Sequence, residues 1–202
     1  MDLLHFYWSL KAGKPKHKAT IYDLRASIAD YIQSPVFFLS TGRCGTKWFS
    51  SLMGKNPELL VFHDPIPSLA SQSKTVHEKY VQNPSGYKSE GYELIKEIFW
   101  AAREDHLRYA YKAGKRYIET NNYVTFFAPA LYELFPDAKF VHLVRHPGEF
   151  IRSGVSRNYF SGSSRDLMRP EPVGGEHKKK WDGYSRMEKV AWLWNETNRY
   201  IE

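Results

Sequence analysis

Val36-Phe37-Phe38-Leu39-Ser40-Thr41-Gly42-Arg43-Cys44-Gly45-Thr46-Lys47-Trp48-Phe49 begins as a short apolar run of strand type and empties into a turn held by two glycines. The amphipathic segment Trp48-Phe49-Ser50-Ser51-Leu52-Met53 follows at once. A strand, a tight loop and a helix N-terminus in that order make an anion cradle. The first N–H groups of the helix have no partner within it, and the helix dipole is positive there. Gly42 and Gly45 let the backbone approach the anion, while Thr41, Thr46, Arg43 and Lys47 carry donors for its oxygens.

The loop departs from two familiar phosphate motifs. A Walker A loop has four residues between its glycines and a Ser or Thr after its lysine. Here two residues separate Gly42 from Gly45, and Trp48 follows Lys47, so the hydroxyl that would hold Mg²⁺ is absent. A cysteine-phosphatase loop would need an arginine six positions after Cys44, and that position is Ser50. A second segment, Phe135-Pro136-Asp137-Ala138-Lys139-Phe140-Val141-His142-Leu143-Val144-Arg145-His146-Pro147, is another apolar strand ending in a cation, with a turn and a helix after it. Eight residues beyond Arg145 lies Ser153. A strand-end guanidinium and a hydroxyl two turns into the next helix can both reach one phosphate.

Together the two segments resemble the PAPS-dependent sulfotransferases. Arg43-Cys44-Gly45-Thr46-Lys47-Trp48 is similar to that family's 5′-phosphosulfate loop, approximately Lys/Arg-Ser-Gly-Thr-Thr-Trp, with Cys for Ser and Lys for the second Thr. Arg145 and Ser153 resemble the Arg and Ser that bind the 3′-phosphate. The resemblance implies that Arg43, Cys44, Gly45, Thr46 and Lys47 hold the 5′ end of the nucleotide and that Trp48 stacks on its adenine. It implies transfer of a sulfuryl group from PAPS to a hydroxyl or amine, giving PAP, with no metal required. Arg43 stands where the family often has lysine. A guanidinium stabilises charge but does not readily give up a proton, so Lys47 is the candidate to act beside it. Relatives take their base from a histidine or from a carboxylate near the end of the second strand. On that ground Asp64 is the first candidate, with His63 and Glu119 behind it. The resemblance leaves the acceptor open among small molecules, carbohydrates, lipids and peptides. The rival readings are a P-loop nucleotide kinase or NTPase, which would need Mg²⁺, and a non-catalytic nucleotide-binding module.

Composition agrees with a globular domain: 202 residues, 42% hydrophobic and 16% aromatic, suffice for a real core. The single cysteine excludes an intramolecular disulfide. No apolar run approaches the roughly 20 residues of a membrane span. Met1-Asp2-Leu3-Leu4 opens with an acid where a signal peptide carries positive charge, so the expected compartment is the cytoplasm. The net charge of +7 suits an anionic ligand. Nucleic acid is not the expected partner, because no zinc-finger spacing, RNP-type motif or long basic helix is present. The basic run His177-Lys178-Lys179-Lys180 reads as a solvated turn or substrate rim.

Helix and strand alternate along the chain. Helices are expected over Thr20–Gln33, Thr46–Gly54, Gly91–Lys112 and Val124–Leu134, from Pro147, and through Lys189–Arg199. Strands are expected at Val36–Ser40, Leu59–His63, Arg116–Glu119 and Lys139–Val144. The segment 65–89 reads as loop and short helical pieces, and 161–185 as a mobile acceptor-side lid. This order implies an α/β fold of three layers, α/β/α, around a mainly parallel sheet, like that of the P-loop NTPases. Residues 1–33 are expected to be an N-terminal segment and helix. Residues 34–202 are expected to be one sulfotransferase-like domain, incomplete at its C-terminus by comparison with the family. Ligands of such sheets sit beyond the carboxyl ends of the strands, where Phe62-His63-Asp64-Pro65 and Glu119-Thr120-Asn121-Asn122 also end.

Overall fold

Four short strands pair side by side, all parallel, in the order Leu59–Phe62, Arg116–Glu119, Val36–Leu39, Lys139–His142. The structure, a computed structural model, describes Ile32, residues 34–82 and residues 91–202. Apart from Ile32, the helix expected over Thr20–Gln33 and the boundary at residue 33 lie outside the described residues. The elements run β1 (Val36–Leu39), α1 (Thr46–Met53), β2 (Leu59–Phe62), α2 (Ala70–Val76), α3 (Tyr92–Lys112) and β3 (Arg116–Glu119). They continue through α4 (Ala128–Leu134), β4 (Lys139–His142), α5 (Pro147–Ser156), α6 (Gly175–Lys180) and α7 (Arg186–Ile201).

The alternation of side chains along β1 divides the layers. Phe37 and Leu39 face α3 and α4, where the Phe37 ring lies 5.8 Å from Phe99, 6.1 Å from Phe135 and 5.9 Å from Phe140. Phe38 points to the opposite face and meets Phe49 of α1 at 5.7 Å. Buried on both sides, β1 is apolar at every position, as central parallel strands are. The expected three-layer α/β/α fold is therefore present. Among the described residues no helix is long and apolar enough to cross a membrane, and no group of side chains could hold a metal ion.

Two expectations need correction. Residues 124–134 do not form one helix: a 3₁₀ helix over Asn122–Phe127 precedes α4. Pro129 in the first turn of α4 has no N–H to continue an α-helical ladder from the residues before it. Residues 161–185, expected as a mobile acceptor-side lid without elements of their own, carry regular structure. They fold into a 3₁₀ helix (Ser164–Met168), α6 and a second 3₁₀ turn (Trp181–Gly183). Trp181 is buried against Phe160, Tyr184 and Trp192, in a second core built with Phe150 and Val190. The run His177–Lys180 belongs to the exposed helix α6.

Pairing register brings the strand ends to one edge. Leu39 lies opposite His142, Phe37 opposite Glu119, and Phe62 opposite Glu119. The loops after all four strands, which carry Ser40–Gly45, His63–Asp64, Thr120–Asn122 and Leu143–Arg145, consequently share that edge.

Candidate functional site

The loop after β1 is shaped by residues on the left-handed side of the backbone map. Gly42, Arg43 and Gly45 have φ of 73°, 56° and 94°. Arg43 is not a glycine, and holding it there costs on the order of 1 kcal/mol, the kind of strain found at functional loops. A Cβ on Gly42 would stand 3.0 Å from the Asn122 side chain, so that position requires glycine for space as well as for φ. The β1 end is locked from below. Thr125 Oγ1 accepts from Ser40 N and donates to Ser40 O, both at 3.0 Å, and Ser40 Oγ accepts from Gly42 N at 3.1 Å.

Gly45 is the N-cap of α1 and offers no side chain to cap it. The first intrahelical bond is donated by Phe49 to Gly45 O, which leaves the N–H groups of Thr46, Lys47 and Trp48 ahead of the ladder. No acidic residue occupies this first turn. The turn therefore keeps its affinity for an anion. Thr46 is buried beneath it, whereas Lys47 and Trp48 are exposed on the helix surface. Cys44 turns back into the loop, with Sγ 3.1 Å from Thr41 Oγ1 and 3.0 Å from Gly42 O. Burial pushes its thiol pKa up, against the lowering effect of the Thr41 bonds and of Arg145, so Cys44 acts in the loop as a neutral donor.

The second segment meets the first here. Arg145 Nη1 donates to Arg43 O at 2.9 Å, and Arg43 Nε donates to Ser153 Oγ at 3.4 Å. Residues 102 and 110 positions apart thus form one polar cluster at the loop. Arg43, assigned by resemblance to the 5′ end of the ligand, directs its side chain toward the Arg145–Ser153 pair. Glu149 holds Arg145 from one side at 3.1 Å, and Trp194 Nε1 fixes Arg145 O at 2.9 Å. Cations, a hydroxyl, exposed amides and a close-approach glycine are the groups that suit phosphoryl oxygens.

Beside the cluster lies a cleft of about 440 Å³, in the range of small-molecule sites. Arg43 and Thr46 line it on the loop side, and His63 and Asp64 at the end of β2. Asp64 also has a left-handed φ, of 50°. His63 Nδ1 lies 3.1 Å from Thr120 Oγ1, which spends its own proton on Phe62 O. That pattern assigns the His63 proton to Nδ1 and leaves Nε2 as the acceptor, 3.6 Å from Asp64 Oδ2. Glu119 stands elsewhere. Fully buried, it receives Arg103 Nε and Nη2 at 2.9–3.1 Å, Tyr117 Oη at 2.7 Å and Asn121 Nδ2 at 3.3 Å. It organises the end of β3, where Asn121 caps the 3₁₀ helix by accepting from Tyr123 N.

Several lining residues carry no motif and escape a reading of the sequence. Arg157 and Tyr159 follow α5; Arg165 and Arg169 come from the 3₁₀ helix of the 161–185 segment and its end; Tyr123 follows the Asn121 cap. The one available signal was the recurrence of arginine just beyond the Ser153 helix. Burial raises the Tyr123 pKa, as do Asp64 and Tyr159, with Arg169 and Arg165 opposing, so its hydroxyl remains a donor.

Residues 35–194 match a family model described as Sulfotransferase family, a span that contains both the Arg43–Trp48 loop and the Arg145–Ser153 pair. No curated protein and no solved structure matches the chain. A family match over most of the chain, on a parallel sheet whose β1 and β4 ends lie side by side, leads to one conclusion: the chain belongs to the sulfotransferase family.

Proposed function

We propose that this protein transfers the sulfuryl group of PAPS to a hydroxyl or amine acceptor and releases PAP. The observation that carries the reading is the meeting of Arg43, Arg145 and Ser153 at the uncapped start of α1. In this reading the α1 amides, Gly45, Thr46, Lys47 and Cys44 surround the 5′-phosphosulfate. Arg145 and Ser153 hold the 3′-phosphate, and the exposed Trp48 ring stacks on adenine. The donor supplies an activated sulfur. Its bond to the phosphate oxygen breaks as the acceptor oxygen or nitrogen bonds to sulfur, and the acceptor proton passes to the protein.

The His63–Asp64 pair is the receiver of that proton. Nδ1–H of His63 is held by Thr120, so Nε2 is free to accept, and Asp64 stabilises the imidazolium that forms. Arg43 and Lys47 stabilise charge on the leaving phosphate. Glu119 takes no part, because its charge is committed to Arg103 in the interior.

The test is transfer of labelled sulfate from PAPS to a panel of small hydroxyl, amine, carbohydrate and lipid acceptors. Wild type should produce PAP and a sulfated product without added metal. His63→Ala and Asp64→Asn should lose about 100- to 10,000-fold in kcat, the usual contribution of general-base catalysis, with PAP affinity retained. Full activity in both variants would remove the pair from the mechanism.

A further inference from the structure

The cleft is lined by arginines to which the proposed donor site assigns no role. Arg145 and Ser153 lie outside its lining, while Arg157, Arg165 and Arg169 form the wall contributed by α5 and the segment after it. Arg169 is compensated: Asp166 pairs with it at 3.0 Å, and its guanidinium sits 3.3 Å above the Tyr159 ring. Asp166 is in turn fixed by the N–H groups of Phe160, Gly162 and Ser163 at 2.8–3.0 Å, so this wall is built rather than loose. Arg157 and Arg165 have no ion-pair partner among the described residues. Two uncompensated guanidinium forks therefore line the cleft that His63 and Asp64 also line.

We infer that the acceptor is an oligosaccharide carrying its own carboxylate or sulfate groups, which Arg157 and Arg165 bind while an acceptor hydroxyl or amine reaches His63–Asp64. Guanidinium forks match planar carboxylates and sulfate oxygens bidentately. The rest of the lining mixes hydroxyls and an amide, from Tyr123, Ser73, Thr197 and Asn122, with the apolar Phe126, Met168, Pro170 and Leu193, a combination that suits the polar edge and apolar face of a sugar ring. The acceptor role rests on the sulfotransferase reading above; the anion subsite itself does not.

The test is calorimetric titration of wild type and of the double variant Arg157→Ala/Arg165→Ala. The probes are hyaluronan and chondroitin sulfate octasaccharides, carboxyl-reduced hyaluronan as the neutral match, and a glutamate-rich tyrosine peptide as the acidic non-sugar. Lys178→Ala/Lys179→Ala removes two exposed cations outside the cleft and is the charge-matched control. The anionic octasaccharides should bind wild type and control alike. Their affinity should fall at least about tenfold in the double variant, the scale of lost charge-assisted hydrogen bonds, with PAP affinity kept within about twofold. The inference is overturned by a parallel loss of PAP affinity, which would assign the two arginines to the donor. It is equally overturned by undiminished binding of the neutral sugar, by an equal loss in the lysine control, or by preference for the peptide. PAP binding with no oligosaccharide binding defeats this inference alone. Arginine-dependent oligosaccharide binding with no PAP binding defeats the donor reading alone.

Discussion

Glu196 shows how a single carboxylate ties distant parts of this chain together. His77, at the end of α2, places Nε2 3.1 Å from its Oε1, and Arg199 places Nη2 2.8 Å from its Oε2. Burial alone would raise the carboxyl pKa, but the His77 and Arg199 hydrogen bonds outweigh it and hold the value at about 2, down from 4.5. As pH falls, the unfolded chain takes up its proton first, near 4.5. The stabilisation is thus complete above that pH and drains away as pH falls toward about 2. Thermal unfolding followed by circular dichroism should show a midpoint that declines over this acid range, and Glu196→Gln should flatten the decline. Equal acid slopes in the two proteins would contradict this role. Glu119 makes a different point at the same scale. Its place at the end of β3 was legible in the sequence, but its direction was not. Strand alternation puts Tyr117 and Glu119 on one face, and only the fold reveals that this face meets the fully buried Arg103.

Among the elements, α5 and α7 are the pair on which the second anion segment depends. A Cβ on Gly154 would stand 2.7 Å from Val190 Cγ1, so the helices touch through a glycine. Valine is stiff at χ1 and has little room to yield. Gly154→Ala should cost about 1–3 kcal/mol of stability by overpacking, read in denaturant unfolding. It should also weaken PAP binding, because Ser153 is the adjacent residue; an unchanged unfolding midpoint would show that the interface adapts. The strands, α1, α3 and α5 were legible because their apolar patterns are strong and glycine or proline stands near their ends, and α7 through its apolar pattern alone. The break at Asn122–Phe127 was not, since Pro129 fits both a helix start and a kinked continuation. The 161–185 segment misled for a physical reason. Its Gly, Ser and Arg content reads as solvated loop, whereas its structure hangs on one tryptophan and one carboxylate, Trp181 and Asp166, with partners elsewhere in the chain or across the turn.

For the whole molecule, the sheet order β2-β3-β1-β4 turns separate sequence motifs into one site. Parallel pairing sets every strand end at the same edge, and the loop after β1 sits between those of its neighbours β3 and β4. The meeting of the two motifs at one edge was therefore readable in advance from their strand ends and the rule for parallel sheets. The far wall of the cleft was not, because Arg157, Tyr159, Arg165 and Arg169 come together only after the 157–170 stretch folds back over it. In the proposed function Arg43–Trp48 and Arg145–Ser153 act together as one nucleotide site. Calorimetric titration of wild type and Arg145→Ala with PAP, against ATP plus Mg²⁺, tests it most directly. One shared site should give metal-independent PAP binding that Arg145→Ala weakens by about 1.5–3 kcal/mol, the loss expected for hydrogen bonds to a charged group. Binding of ATP with Mg²⁺ and no response to PAP would contradict it.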